Sequence, residues 1–118
     1  MSKVNIKAKL LNKTSNETYN INTKGIKNNN KITFYDNDIL NTIIIDSDNI
    51  LVERKNNEYT ISLNFSKEKG IYKTKDDLVL DFMIKTNYII KKEEFIEIDY
   101  IIYMDDEISY NYTIDCRC

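Results

Sequence analysis

An all-β fold, an antiparallel up-and-down barrel of about eight to ten strands, is predicted for this chain by three observations. Apolar and polar residues alternate at period two along most of its 118 residues. No stretch repeats apolar residues at helical spacing for the length a helix needs. Short polar turns divide the alternating runs at regular intervals, a pattern shared by sandwiches and barrels, and the uninterrupted hairpin connections favour the barrel.

The first strand sets Val4, Ile6, Ala8 and Leu10 on one face against Lys3, Asn5, Lys7 and Lys9 on the other. The second runs from about Glu17 to Thr23 with Tyr19 and Ile21 inward. The third, "KITFYD", puts Ile32 and Phe34 on one face, and Asp36 continues that face at its end. "LNTIIID" supplies the fourth. Residues 49–65, "NILVERKNNEYTISLNF", form a hairpin carrying the fifth and sixth. With Asn56 and Asn57 as a two-residue turn, Arg54 lies opposite Tyr59, Val52 opposite Ile61 and Ile50 opposite Leu63, so a guanidinium falls on the apolar face. "IYKT" is a seventh strand, and "DLVLDFMIKT" an eighth with Leu78, Leu80, Phe82 and Ile84 inward. The last two read most clearly: Ile96, Ile98, Tyr100, Ile102 and Met104, then Ile108, Tyr110, Tyr112, Ile114 and Cys116. "NYIIKKEEF" places two isoleucines where a turn is expected and reads as a single helical turn or a cap over one barrel end.

The length fits one domain, and folding at this size buries roughly two thirds of the surface of the unfolded chain. A net charge of −2 and a pI near 5.2 give no global attraction to nucleic acid or to an anionic membrane. No apolar run is long enough for a signal peptide or a membrane span, so the expectation is a cytoplasmic protein without a membrane partner. The chain contains no histidine, no glycine-rich phosphate loop and no histidine partner for its two cysteines, Cys116 and Cys118. Adjacent carboxylates such as Asp105 and Asp106 point to opposite faces if extended, so they form no acid/base dyad. The expectation is a non-catalytic protein with no cofactor and no metal.

The order of features resembles the YwiB-like proteins, small bacterial barrels of calycin type related in shape to lipocalins. The resemblance rests on Gly25, on "ITFYDND", on "NTIIIDSDNILVER" leading into the hairpin, on Phe65, on "GIYKT" followed by "LVLDFMIKT", and on the closing "IEIDYIIYMDDEISYNYTI". Asp36, Thr42, Arg54, Tyr72, Thr74, Thr86 and Tyr100 are the matching positions that are more than ordinary strand residues. Asp77 stands where the family tends to have glycine. The resemblance implies a barrel and carries no activity with it.

In an up-and-down meander the third and fifth strands finish at the same rim, about 10 Å apart across the strand between them. Asp36 and Arg54, flanked by Thr42, Tyr59 and Tyr100, are therefore the candidate site. Two roles are open for Arg54. It anchors a small anionic or amphipathic ligand, since a guanidinium binds carboxylate or phosphate bidentately; or it reaches out to the rim and ties off the barrel end through Asp36. The same topology gathers Asp38, Glu58, Asp76, Asp77 and Asp105 at that rim, and Lys31, Lys67, Lys69, Lys91 and Lys92 at the other. Charge-polarised rims on a filled barrel make a protein partner the alternative reading. Tyr35 and Tyr103 have outward parity, and without a basic groove they make nucleic acid an unlikely partner.

Overall fold

The computed structural model describes residues 1–118. It contains ten strands and no helix: β1 (Ser2–Asn12), β2 (Glu17–Asn28), β3 (Lys31–Asp36), β4 (Ile39–Asp46), β5 (Asn49–Lys55), β6 (Tyr59–Asn64), β7 (Lys69–Thr74), β8 (Val79–Lys91), β9 (Phe95–Met104) and β10 (Asp106–Arg117). Each pairs antiparallel with the next, and β1 pairs with β10 to close the barrel. The meander puts the turns after β1, β3, β5, β7 and β9 at one rim and the remaining turns at the other.

Turns between short antiparallel strands need left-handed backbone positions, usually filled by glycine. Here Asn16, Asn29, Asn37, Glu68, Asp77 and Asp105 take them, with φ between 55° and 66°. Asparagine and aspartate tolerate that region because their short polar side chains bond locally, which is how a chain with two glycines makes five of its nine connections, Glu68 serving in a sixth. Asp77 is one of these positions, so the turn before β8 keeps a left-handed residue without a glycine.

Both glycines serve packing instead. Gly25 pairs with Phe34, and Gly70 pairs with Phe82. A Cβ on Gly70 would overlap the Phe82 ring, and one on Gly25 would lie 2.5 Å from the Thr33 carbonyl oxygen. Each missing side chain leaves space that its neighbours occupy.

The β5–β6 register differs from a two-residue turn. Arg54 pairs with Ile61 and Val52 with Leu63, a slide of two residues. The cause is Asn56, whose Oδ1 accepts hydrogen bonds from the amides of Glu58 and Tyr59 at 2.8 and 3.0 Å while its own amide donates to the Tyr59 carbonyl at 3.0 Å. A slide of two preserves parity, so Arg54 stays inward. Asn56→Ala is expected to lower stability by about 1 kcal/mol in denaturant melts, because two turn amides lose their acceptor.

The segment "NYIIKKEEF" is not a helical turn or a cap. β8 runs on through Lys91, with a bulge between Thr86 and Tyr88. The extra residue, Asn87, inverts the parity of the residues beyond it, so Ile89 takes the parity of its partner Ile98 yet stays exposed beyond the filled interior. Leu78, expected inward, precedes β8 and is exposed at the rim.

Eighteen buried residues fill the interior, among them Ile6, Ile43, Ile50, Ile98 and Ile114. An aromatic series runs through it: Phe65 meets Tyr100 edge-on with centroids 4.8 Å apart, and Tyr100 stacks on Tyr110 at 5.4 Å. At the lysine-rich rim only about 20 Å³ remains open near Ile32 and Ile96. Cys116 packs into that end and Cys118 is exposed.

Candidate functional site

At the opposite rim the filling stops short and leaves a cup of about 160 Å³. Its polar lining is Tyr19, Asp36, Asn41, Arg54 and Tyr59, and its apolar walls come from Leu10, Ile21, Ile39 and Ile61. The β2–β3 pairing ends at Gly25 and Phe34. The two strands therefore lack ladder hydrogen bonds beside the cup, and Tyr19 bridges them by donating from its hydroxyl to Asp36 Oδ2 at 2.7 Å. That bond to a carboxylate holds the Tyr19 phenol above its usual pKa.

Arg54 projects inward from β5 beside its cross-strand neighbour Asn41. Its guanidinium lies over the Tyr112 ring, 5.3 Å from the centroid. It approaches the Tyr112 hydroxyl, which nonetheless completes no hydrogen bond. Burial opposes the charge, and the phenol oxygens of Tyr112, Tyr100 and Tyr59 outweigh it, so the guanidinium titrates above its ordinary range. Burial likewise pushes the Tyr100 and Tyr112 phenols up, against the pull of Arg54, and both stay protonated and able to donate.

No carboxylate pairs with Arg54. The ion pairs of the structure are Lys13 with Asp99 at 2.9 Å and Arg117 with Asp115 at 2.6 Å. The expected Asp36–Arg54 bridge does not form. Asp36 pairs with Ile39 and Arg54 with Asn41, so Asp36 sits two residues nearer the rim, about 7 Å along the strand in addition to the spacing across it. Tyr19, on the adjacent strand, reaches Asp36 instead.

The other expected site residues divide. Tyr59 lines the cup and stacks on Tyr72 at 5.8 Å. Tyr100 is 2% exposed, deeper in the core near Arg54 and outside the cup lining. Thr42 is on the outer face, between Thr33 and Glu53, and its neighbour Asn41 takes the inward position. Alternation alone does not single out Asn41. It is 1% exposed, its Nδ2 donates to the Ile39 carbonyl at 3.4 Å, and its Oδ1 has no partner.

A second polar group lies on the outer wall. Asp99 is 4% exposed although its side chain points away from the core. Its carboxylate accepts from Lys13 Nζ at 2.9 and 3.1 Å, from Asn87 Nδ2 at 2.8 Å and from Asn111 Nδ2 at 3.1 Å. The bulge supplies Asn87, the β1–β2 turn supplies Lys13, and Asn111 is the cross-strand partner of Asp99 on β10. All of its hydrogen-bonding capacity is directed at the protein itself, which makes it a structural clasp and leaves the cup as the candidate site.

Fold and site together define a class: a closed ten-stranded up-and-down barrel, filled along most of its length, with a small polar cup at one rim. The chain is similar in structure to the ywiB protein from Bacillus subtilis, whose crystal structure it matches with a TM-score of 0.63 over 98% of this chain and 89% of that one, at 18% identity. That likeness supports a YwiB-like fold. No family model matches the sequence, and no curated protein matches it. No helix is long and apolar enough to cross a membrane.

Proposed function

We propose that this is a non-catalytic, cytoplasmic barrel of calycin type that binds a small anionic group in its rim cup, with Arg54 as anchor and Tyr59 as part of the wall. The observation that carries this reading is an inward guanidinium, facing a cup, without a carboxylate partner. An arginine offers five N–H donors in a planar fork suited to a carboxylate or phosphate, and a polar group turned inward is costly when it has no partner. The volume, about half that of the smallest usual ligand pockets, restricts the guest to a handful of heavy atoms or to the charged end of a longer, amphipathic molecule.

Calorimetric titration with acetate and inorganic phosphate, compared with Arg54→Met, tests this. The original chain is expected to bind one of them, and the variant to lose about ten- to a hundredfold in affinity, the worth of a charge-assisted hydrogen bond. The variant should melt within a few degrees of the original, since methionine can still cover Tyr112 and the cation–π contact contributes only about 0.5–2 kcal/mol. Absence of binding together with a large fall in melting temperature would make Arg54 a structural plug. That result would favour the rival reading, a module that docks a protein partner through its charged rims or through the exposed outer-face residues Ile71 and Met83.

A further inference from the structure

A plain anion matches only part of the cup. Arg54 is its one cationic lining residue, and Asp36 lines the same cavity. The Tyr19 hydroxyl engages Asp36 Oδ2 and leaves Oδ1 without a protein donor. Asn41 Oδ1, buried and unpaired, is a second acceptor that only a donor can satisfy. The exposed turns of this rim add Asp38, Glu58, Asp76 and Asp77 against Lys55 and Lys75, an acidic excess that favours an ammonium beside the anion.

Arg54 and Asn41 are direct cross-strand neighbours, with Cα atoms about 4.5–5.5 Å apart. Donor and acceptor are thus presented side by side. A guest that meets both carries its anion and its N–H donor on one short skeleton, and the walls of Leu10, Ile21, Ile39 and Ile61 accept a short aliphatic part.

Building on the reading of the cup as an anion site, we propose that its ligand is a small zwitterion of the α-amino acid class, its carboxylate on Arg54 and its ammonium between Asn41 Oδ1 and Asp36. The Tyr59 hydroxyl in the lining and the unpaired Tyr112 hydroxyl beside the guanidinium are further donors on the Arg54 side.

The test titrates the full chain with glycine, L-alanine, L-valine and L-leucine, each beside the acid that lacks the amine: acetate, propionate, 3-methylbutanoate and 4-methylpentanoate. At least one amino acid is expected to bind about tenfold or more tightly than its deaminated counterpart, because the counterpart leaves buried acceptors unpaired. Arg54→Met should weaken both by about ten- to a hundredfold, and Asp36→Asn, which removes the charge but leaves amide oxygens as acceptors, should lower the preference for the amine while leaving the acid bound. Should Arg54→Met not fold, Arg54→Lys, which keeps the charge and loses the fork, is expected to weaken binding in its place. Acids that bind as tightly as the amino acids, in an Arg54-dependent way, would overturn the zwitterion and leave the anion site standing. If none of these compounds binds but inorganic phosphate does, the zwitterion is overturned and the anion site stands; if phosphate does not bind either, both readings fall.

Discussion

Asp99→Ala is expected to cost the fold about 2–3 kcal/mol and to lower the melting temperature by roughly 10 °C. The carboxylate is the common acceptor for Lys13, Asn87 and Asn111, and its removal leaves three donors from three elements without it. The loss stays below that of a deeply buried ion pair. The covering layer is one side chain thick, and Lys13 can turn to water. The pH dependence has a definite sign. Burial alone would raise the Asp99 pKa, but the hydrogen bonds from Asn87 and Asn111 and the Lys13 ammonium outweigh it and hold the group below the usual carboxylate range. A depressed folded-state pKa contributes stability that is present above the unfolded value, near 3.9, and is lost as pH falls through the folded value. The gap in stability between the original chain and Asp99→Asn should therefore be constant above about pH 5 and narrow below about pH 4. Denaturant melts across that range check it. Glu97, held down by hydrogen bonds from Tyr88 and Asn111, leaves a residual acid slope in the variant. A gap that does not change with pH would show that the carboxylate charge is not what holds the clasp.

Gly70→Ala should destabilise by about 1–3 kcal/mol, although replacing a strand glycine ordinarily gains about 0.5–1 kcal/mol. The sign reverses because the new Cβ would overlap Cε2 and Cζ of Phe82, in the space the ring now fills. Phe82 is 8% exposed, so the ring has little room to retreat without opening the wall between β7 and β8. The partner substitution distinguishes steric overlap from a general intolerance of the site. Phe82→Leu alone opens a cavity, and in the Gly70→Ala background it should recover part of the loss, giving a coupling of about 1 kcal/mol or more in a double-mutant cycle. Additive losses would rule out the overlap as the cause.

Much of the barrel is legible because period two is the only periodicity present. The inward parity of Val4, Ile6 and Ala8, or of Ile96, Ile98 and Tyr100, comes from alternation alone. The inward Arg54 is legible for the same reason and survives a register slide, since two residues restore parity. Asn41 escapes because β4 is apolar on both faces: Ile43 and Ile45 share one parity with it, while Leu40 and Ile44 share the other with Thr42. The two-residue turn at Asn37 and Asp38 holds the missing signal, because pairing Asp36 with Ile39 places Asn41 opposite the inward Phe34. The Asp36–Arg54 bridge fails on stagger, a quantity that strand order alone does not supply. The Asp99 clasp has no local signature. It joins positions 13, 87, 99 and 111 through a bulge at "TNY", and nothing in the alternation there marks one, since the isoleucines beyond it are exposed.

The seam between β1 and β10 also sets the order in which the molecule becomes competent. Leu10, a wall of the cup, lies on the first strand, and Tyr112, beneath the Arg54 guanidinium, is its partner on the tenth. Until that pair zips, the open sheet has two free edges and its cup lacks a finished wall. Closure joins the most distant strands of the barrel, so it carries the largest loop entropy and is slow by topology. A guest that recognises the finished cup binds only after closure and holds the seam shut by mass action. Once closed, this eight-pair ladder is the stronger side of the cup, and local opening is expected first at the four-pair β2–β3 ladder.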